Sequence, residues 1–208
     1  MEGQSTKRPV NTRPPGLVVP TCTVENRNTM GRHKYARIEW ERRFLLHRFP
    51  DDAVVTRVRR IHDRYMEGTT LRLRQQSDED GQTVFKLTQK LAEKAGEARQ
   101  GLITSLYLTD IEFSLLAKLP AKELTKTRHS VPPFGIDVFD GSLSGLVLAE
   151  AEFSSAAEAT ALILPSFIGR EVTDDARFTG GGLAAVSREE LKNWLAQYGI
   201  QLTRTALK

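Results

Sequence analysis

From residue 35 onward the chain alternates apolar and polar positions with a period of two, broken at intervals by turn formers. The pattern predicts strands over 36–46, 55–61, 69–76, 83–90, 99–106, 123–130, 134–139 and 146–153. The best-defined hairpin joins the third to the fourth through Ser77-Asp78-Glu79-Asp80-Gly81, which supplies turn formers and a glycine free to take positive φ. Three helices interrupt the strands. Asp110 caps one over 110–119, stopped by Pro120, and Ser154 or Ser155 opens another that ends at Leu164 before Pro165. Ser187-Arg188-Glu189-Glu190 is a capping box at the head of a last helix, 187–198, with Leu191, Trp194, Leu195 and Tyr198 on one face. Eight antiparallel strands with few helices predict an α+β fold, an eight-stranded antiparallel β-barrel flanked by helices.

On a strand, residues two apart share a face and lie roughly 6.5–7 Å from each other. The first strand therefore sets Arg37, Glu39, Glu41 and Arg43 against Ile38, Trp40, Arg42 and Phe44. Arg72 and Arg74 oppose Leu71 and Leu73, while Lys86, Thr88 and Lys90 oppose Phe85 and Leu87. Lys126 and Arg128 make another basic pair, and Glu150 with Glu152 opposes Ala149, Ala151 and Phe153. Each pair alone describes a solvated sheet face. A barrel with its polar faces inward and its apolar faces under helices satisfies all five strands at once.

Charge changes the picture in one respect. The 208 residues carry 30 Lys and Arg against 26 Asp and Glu, a net charge of +4. Residues 1–34 hold six basic side chains and two acidic ones, so the remainder carries 24 of each sign. That distribution argues against a nucleic-acid-binding body. The proline-punctuated first 34 residues are expected to form a disordered basic tail, and 35–208 a single domain that includes the last helix. No apolar run approaches the roughly 20 residues of a membrane helix, and the N-terminal segment lacks a secretory pattern. The one cysteine, Cys22, excludes an internal disulfide, so a cytoplasmic protein with no membrane partner is expected. The oligomeric state is not legible.

A polar bore of this composition has a chemical use. Clustered Arg and Lys suit a ligand with several phosphates, because each oxygen accepts a charge-assisted hydrogen bond. Two Glu-x-Glu pairs suit a hard divalent cation such as Mg²⁺ or Mn²⁺. Without one, crowded glutamates repel and raise one another's pKa.

These residues resemble the CYTH domain, the triphosphate tunnel metalloenzymes. Glu39-Trp40-Glu41-Arg42-Arg43 is similar to the family's opening Glu-x-Glu-x-Lys strand. Leu71-Arg72-Leu73-Arg74, Leu87-Thr88-Gln89-Lys90, Lys126-Thr127-Arg128, Asp137-Val138-Phe139, Ala149-Glu150-Ala151-Glu152-Phe153 and Glu171-Val172-Thr173 with Arg177 follow in the family's order. The resemblance implies a tunnel open at both ends and a small-molecule triphosphate substrate. It implies metal ligation by Glu39, Glu41, Glu150 and Glu152, with Asp137 helping. Phosphate binding would fall to Arg72, Arg74, Lys86, Lys90, Lys126, Arg128 and Arg177, and catalysis to Glu39, Glu41, Arg43 and Lys90. The activity implied is metal-dependent hydrolysis of inorganic triphosphate or a small organic triphosphate. An adenylate cyclase of the same fold and a non-catalytic polyphosphate- or nucleotide-binding module are the alternatives.

Three differences from the family pattern stand out. Arg43 occupies the motif's lysine position, the strand 99–106 lacks glutamates, and Ala176 with 180–182 stand where relatives carry polar residues. The glycines of Thr179-Gly180-Gly181-Gly182 read as a flexible lid or turn. Arg57, Arg59 and Arg60 face either the bore or solvent, and His33, His47, His62 and His129 show no metal-ligand spacing.

Overall fold

The alternating segments form one sheet that closes on itself. The structure is a computed structural model and describes residues 34–92 and 100–202. Its strands are β1 (Arg37–Leu46), β2 (Arg57–Met66), β3 (Leu71–Asp78), β4 (Thr83–Ala92), β5 (Gln100–Leu108), β6 (Ala121–Val131), β7 (Phe134–Phe139) and β8 (Val147–Phe153). They pair antiparallel in the order β5-β4-β3-β2-β6-β7-β8-β1, and β5 returns to β1 to complete an eight-stranded barrel. A two-residue strand, β9 (Arg170–Glu171), adds to β1 on the outside. Four short helices follow the chain: α1 (Asp110–Leu116), α2 (Ala156–Ala161), α3 (Gly180–Ala185) and α4 (Arg188–Ala196). The basic tail, Cys22 and Arg99 lie outside the described residues. Among those described, no helix is long and apolar enough to cross a membrane.

Closure leaves no free edge along the eight strands, and it separates the two faces of each strand. The outer faces of β1, β7 and β8 bury Phe44, Phe134, Ile136, Ala149 and Ala151 in one apolar cluster, against which Leu162, Phe167 and Ile168 pack. Arg42, on the same outer face, ties this layer together. Its guanidinium donates to both Glu171 oxygens, at 3.0 and 2.6 Å, and to the Ala159 carbonyl at 3.1 Å.

A second cluster corrects the expectation of two open mouths. Leu45 pairs with Leu148, Leu148 with Asp137, and Lys126 with Phe139, so these apolar side chains project to the barrel's inner face. There they join Leu124, Phe178, Leu183, Leu191 and Leu195 in a single core. One end of the bore is therefore filled by side chains continuous with α3 and α4. Ser187 opens α4 with the expected capping box, accepting from the Glu190 amide while Glu190 reaches back.

Two segments depart from the sequence reading. β2 runs to Met66 rather than 61. In the added stretch Asp63 points inward and is matched there by a cation on β3. The glycine run forms α3, capped by the Thr179 hydroxyl, which accepts from the Gly182 amide. A helix forms there because the Tyr65 ring packs directly against it. A Cβ on Gly180 would sit 1.8 Å from the Tyr65 hydroxyl, so only glycine fits.

Gly180→Ala is expected to cost about 1–3 kcal/mol through this overlap, despite alanine's better helix propensity. Adding Tyr65→Phe should recover part of the loss, a non-additivity readable by urea unfolding of the four proteins. Strict additivity would contradict the contact.

Candidate active site

Partners across an antiparallel ladder project to the same face, so the strand register gives the lining of the bore. Beginning at the acidic wall, Glu41 pairs with Glu152 and Arg43 with Glu150. Glu150 pairs with Gly135, and Asp137 with Arg128. Arg128 pairs with Arg59, and Lys126 with Ile61. Asp63 pairs with Arg74, and Arg74 with Lys86. Thr88 pairs with Ser105, Lys90 with Ile103, and Ile103 with Arg37. The carboxylates of β1 and β8 and the cations of β3, β4 and β6 thus line one bore.

The carboxylates of the acidic wall are not all held alike. Glu150 accepts from Arg128, and this guanidinium foremost, with Lys126 behind it, overcomes burial and holds the carboxyl well below its usual range. Glu41 accepts from the Lys90 ammonium, which also stands 3.5 Å from Glu39. The Arg43 Nε lies 2.9 Å from Glu41 without the alignment of a hydrogen bond, and its Nη2 donates to the Thr173 carbonyl at 3.0 Å. The Thr173 hydroxyl accepts from the Arg43 amide at 3.1 Å, so the segment after β9 fixes Arg43 from both ends. Glu39 is different. Only 7 % exposed, it accepts from Arg37 at 3.2 Å, yet it is pushed up to about 7, chiefly by burial and next by the Glu152 charge.

The basic wall is braced by acids that sequence reasoning placed differently or missed. Asp63, fully buried, accepts two hydrogen bonds from Arg74 at 2.6 and 2.7 Å and stands 3.8 Å from Arg72. Burial works to raise its pKa, but Arg74 first, and then Arg72 and Lys126, bring it down to about 2. Asp137, also fully buried, accepts from Lys126 and takes two bonds from Arg128 at 2.7 and 2.6 Å. Gly135 leaves room for this side chain, since a Cβ there would meet the Arg128 Cδ at 3.2 Å. Thr88 and Ser105 share a hydrogen bond at 3.0 Å, and the Lys86 ammonium lies 5.1 Å from the centre of the Tyr107 ring. The buried Nε atoms of Arg43, Arg59 and Arg72 have no hydrogen-bond partner among the described residues. Unspent buried donors of this kind suit an anionic ligand.

One of the sequence's candidates stands apart from these walls. Arg177 is held by Asp175, at 2.7 Å, and donates to Gln197 at 2.9 Å, beside the Trp194 ring. The five acids named as metal ligands do not converge as one cluster, because Asp137, Glu150 and Glu41 are engaged by cations. Among the described residues no three His, Cys, Asp or Glu side chains form a ready cation cage. The Glu39–Glu152 pair nevertheless fits a hard divalent ion. Mg²⁺ is commonly held by one or two carboxylates with substrate phosphates supplying further oxygens, and a raised carboxyl beside a like charge is what a cation would relieve. Of the three arginines left open, Arg59 faces the bore, Arg57 reaches Asp78 at 2.9 Å, and Arg60 lies 3.8 Å from Asp140.

The fold and this bore define a class: a closed antiparallel β-tunnel with facing acidic and basic walls, filled at one end. No family model matches the chain. Over 155 residues, 70% of this chain and 96% of its relative, it is 36% identical to the inorganic triphosphatase of Nitrosomonas europaea. Among solved structures it is similar to the inorganic triphosphatase NE1496, at 28% identity and TM-score 0.47, over 71% of this chain and 95% of that one. A conserved hypothetical protein from Pyrococcus furiosus is 16% identical at TM-score 0.42, over 59% and 83% of the two chains. The chain belongs to the family of the inorganic triphosphatases.

A carboxyl raised to about 7 when folded, against 4.5 ordinarily, takes up a proton on folding. Stability therefore falls as pH rises from about 4.5 through 7. In chelator at pH 8.5, Glu39→Gln should be more stable than the parent by about 2 kcal/mol, allowing for solvent screening, with the gap closing towards pH 4.5. Denaturant unfolding at several pH values measures it, and a variant no more stable at pH 8.5 would contradict the strain at Glu39.

Proposed function

We propose that this chain hydrolyses inorganic triphosphate, or a small organic triphosphate, inside its β-tunnel with the help of Mg²⁺ or Mn²⁺. The observation that carries the reading is the facing of Glu39 and Glu152 against Arg72, Arg74, Lys126 and Arg128 across one bore. Support comes from the relative's name and from the ordered motifs that resemble the CYTH domain. Cleaving a phosphoanhydride demands positioning and charge neutralisation more than covalent chemistry.

The chain's own residues supply both. Arg74 and Arg128, each locked in a two-point bond to a buried aspartate, present their remaining donors in a fixed direction. Arg72, Lys126 and Lys86 add charge along the same walls, so that phosphate oxygens meet oriented donors with little reorganisation. Glu39 and Glu152 would hold the divalent ion, which when bound neutralises phosphate oxygens and raises the acidity of water. Lys90 sits between Glu41 and Glu39 and balances their charge until substrate arrives. Arg43, fixed by Thr173, keeps Glu41 in place.

Phosphate release from triphosphate, thiamine triphosphate and ATP, assayed side by side with Mg²⁺ and Mn²⁺, tests the reading. Turnover of inorganic triphosphate should require the metal and fall at least about a hundredfold in Glu152→Gln, with the variant still folded by circular dichroism. Cyclic AMP and pyrophosphate from ATP would instead establish the cyclase, and unchanged turnover in Glu152→Gln would overturn the assigned site.

A further inference from the structure

Most arginines that the register turns into the bore are neutralised by a carboxylate. Arg37 reaches Glu39, Arg43 reaches Glu41, Arg57 reaches Asp78, Arg72 and Arg74 approach Asp63, and Arg128 holds Asp137. Arg59 is the exception. Its neighbour across the ladder on one side is another arginine, Arg128, and on the other it is Asp78, whose carboxylate is engaged by Arg57 at 2.9 Å. Among the described residues its side chain bonds only a neutral group, the Ser130 hydroxyl, to which Nη2 donates at 2.7 Å. Its Nε is buried without a hydrogen-bond partner.

A half-buried guanidinium in this position is costly to the empty protein. Burial first, and then the charges of Arg128, Arg57 and Arg74, disfavour its protonated form, with distant Asp137 offering partial relief. A fold that needed only a filler here would be better served by a neutral side chain, as with Ile61 two residues along the same inner face. The unspent donor, the excess positive charge and the position beside Arg128 have a common explanation in an anion that arrives from outside.

We propose that Arg59 is a further phosphate-binding residue of the bore, its Nε and Nη groups donating to oxygens of the bound triphosphate chain beside Arg128. This assignment rests on the triphosphate reading above and adds a contact that the family resemblance does not supply. It extends the basic wall onto β2, the strand whose charged residues the sequence left open between bore and solvent.

The two roles open to Arg59, structural and ligand-binding, predict opposite signs. The test uses the full chain in chelator, with inorganic tripolyphosphate as the probe, so that binding is read apart from turnover. Isothermal titration should show Arg59→Gln binding about ten- to a hundredfold more weakly than the parent. Arg59→Lys, which keeps the charge but loses the planar fork, should fall between them. Without ligand, Arg59→Gln should melt at the same temperature as the parent or higher, because a surplus cation has been removed. Unchanged affinity in Arg59→Gln would overturn the proposal, as would weaker binding accompanied by a lower ligand-free melting temperature. A parent chain that does not bind tripolyphosphate would overturn it together with the triphosphate reading. Binding without phosphate release would sink hydrolysis alone, and the affinities would still decide Arg59.

Discussion

Everything in this protein depends on the need to match charges inside a closed barrel. Turning the polar faces of eight strands inward removes many ionisable groups from water, at a cost of several kcal/mol per unpaired ion. The structure meets that cost with buried pairs of good geometry. Asp63 grips Arg74 with two hydrogen bonds, and Asp137 holds Lys126 and Arg128 together. Both aspartates are fully buried. At the charged end of the bore these pairs take the place of the apolar packing that fills its other end.

The places where matching is incomplete are the informative ones. On the acidic side, Glu39 is pushed up to about 7, first by burial and then by the Glu152 charge, even with Arg37 and Lys90 beside it. On the basic side, Arg43, Arg59 and Arg72 retain buried donors that nothing in the described chain takes up. The excess of one sign faces the excess of the other, so under the function proposed above a metal and a polyphosphate would complete both walls together. Stability is given up at these positions, a common relation between a site and the fold that carries it.

Much of this was legible in the sequence because a strand's period is two, and charge alternating with bulk over five segments leaves few other arrangements. Glu39, Glu41, Glu150 and Glu152 declared themselves by spacing, as did Arg72 with Arg74 and Lys126 with Arg128. Other features depend on pairing between distant segments. Asp63 lies past the expected end of its strand, and its partner, Arg74, sits on another strand and is chosen by register. Leu45 and Leu148 read as ordinary strand residues, and only the paired register shows that they close one end of the bore. The glycines at 180–182 suggested a flexible lid or turn, whereas they form a helix in which the Tyr65 ring crowds Gly180 and the Ala176 and Arg177 carbonyls crowd Gly182. Arg177 followed the family's order yet is engaged by Asp175.

The central claim is that the two unmatched walls of one bore are filled together by a cation and a phosphate chain. A crystal structure of the full chain grown with Mn²⁺ and inorganic tripolyphosphate, with the metal located by its anomalous scattering, tests it most directly. The account predicts a manganese peak between Glu39 and Glu152 and phosphate density against Arg72, Arg74, Lys126 and Arg128. Tripolyphosphate bound on the outside of the barrel, with the ion pairs of the bore undisturbed, would contradict it.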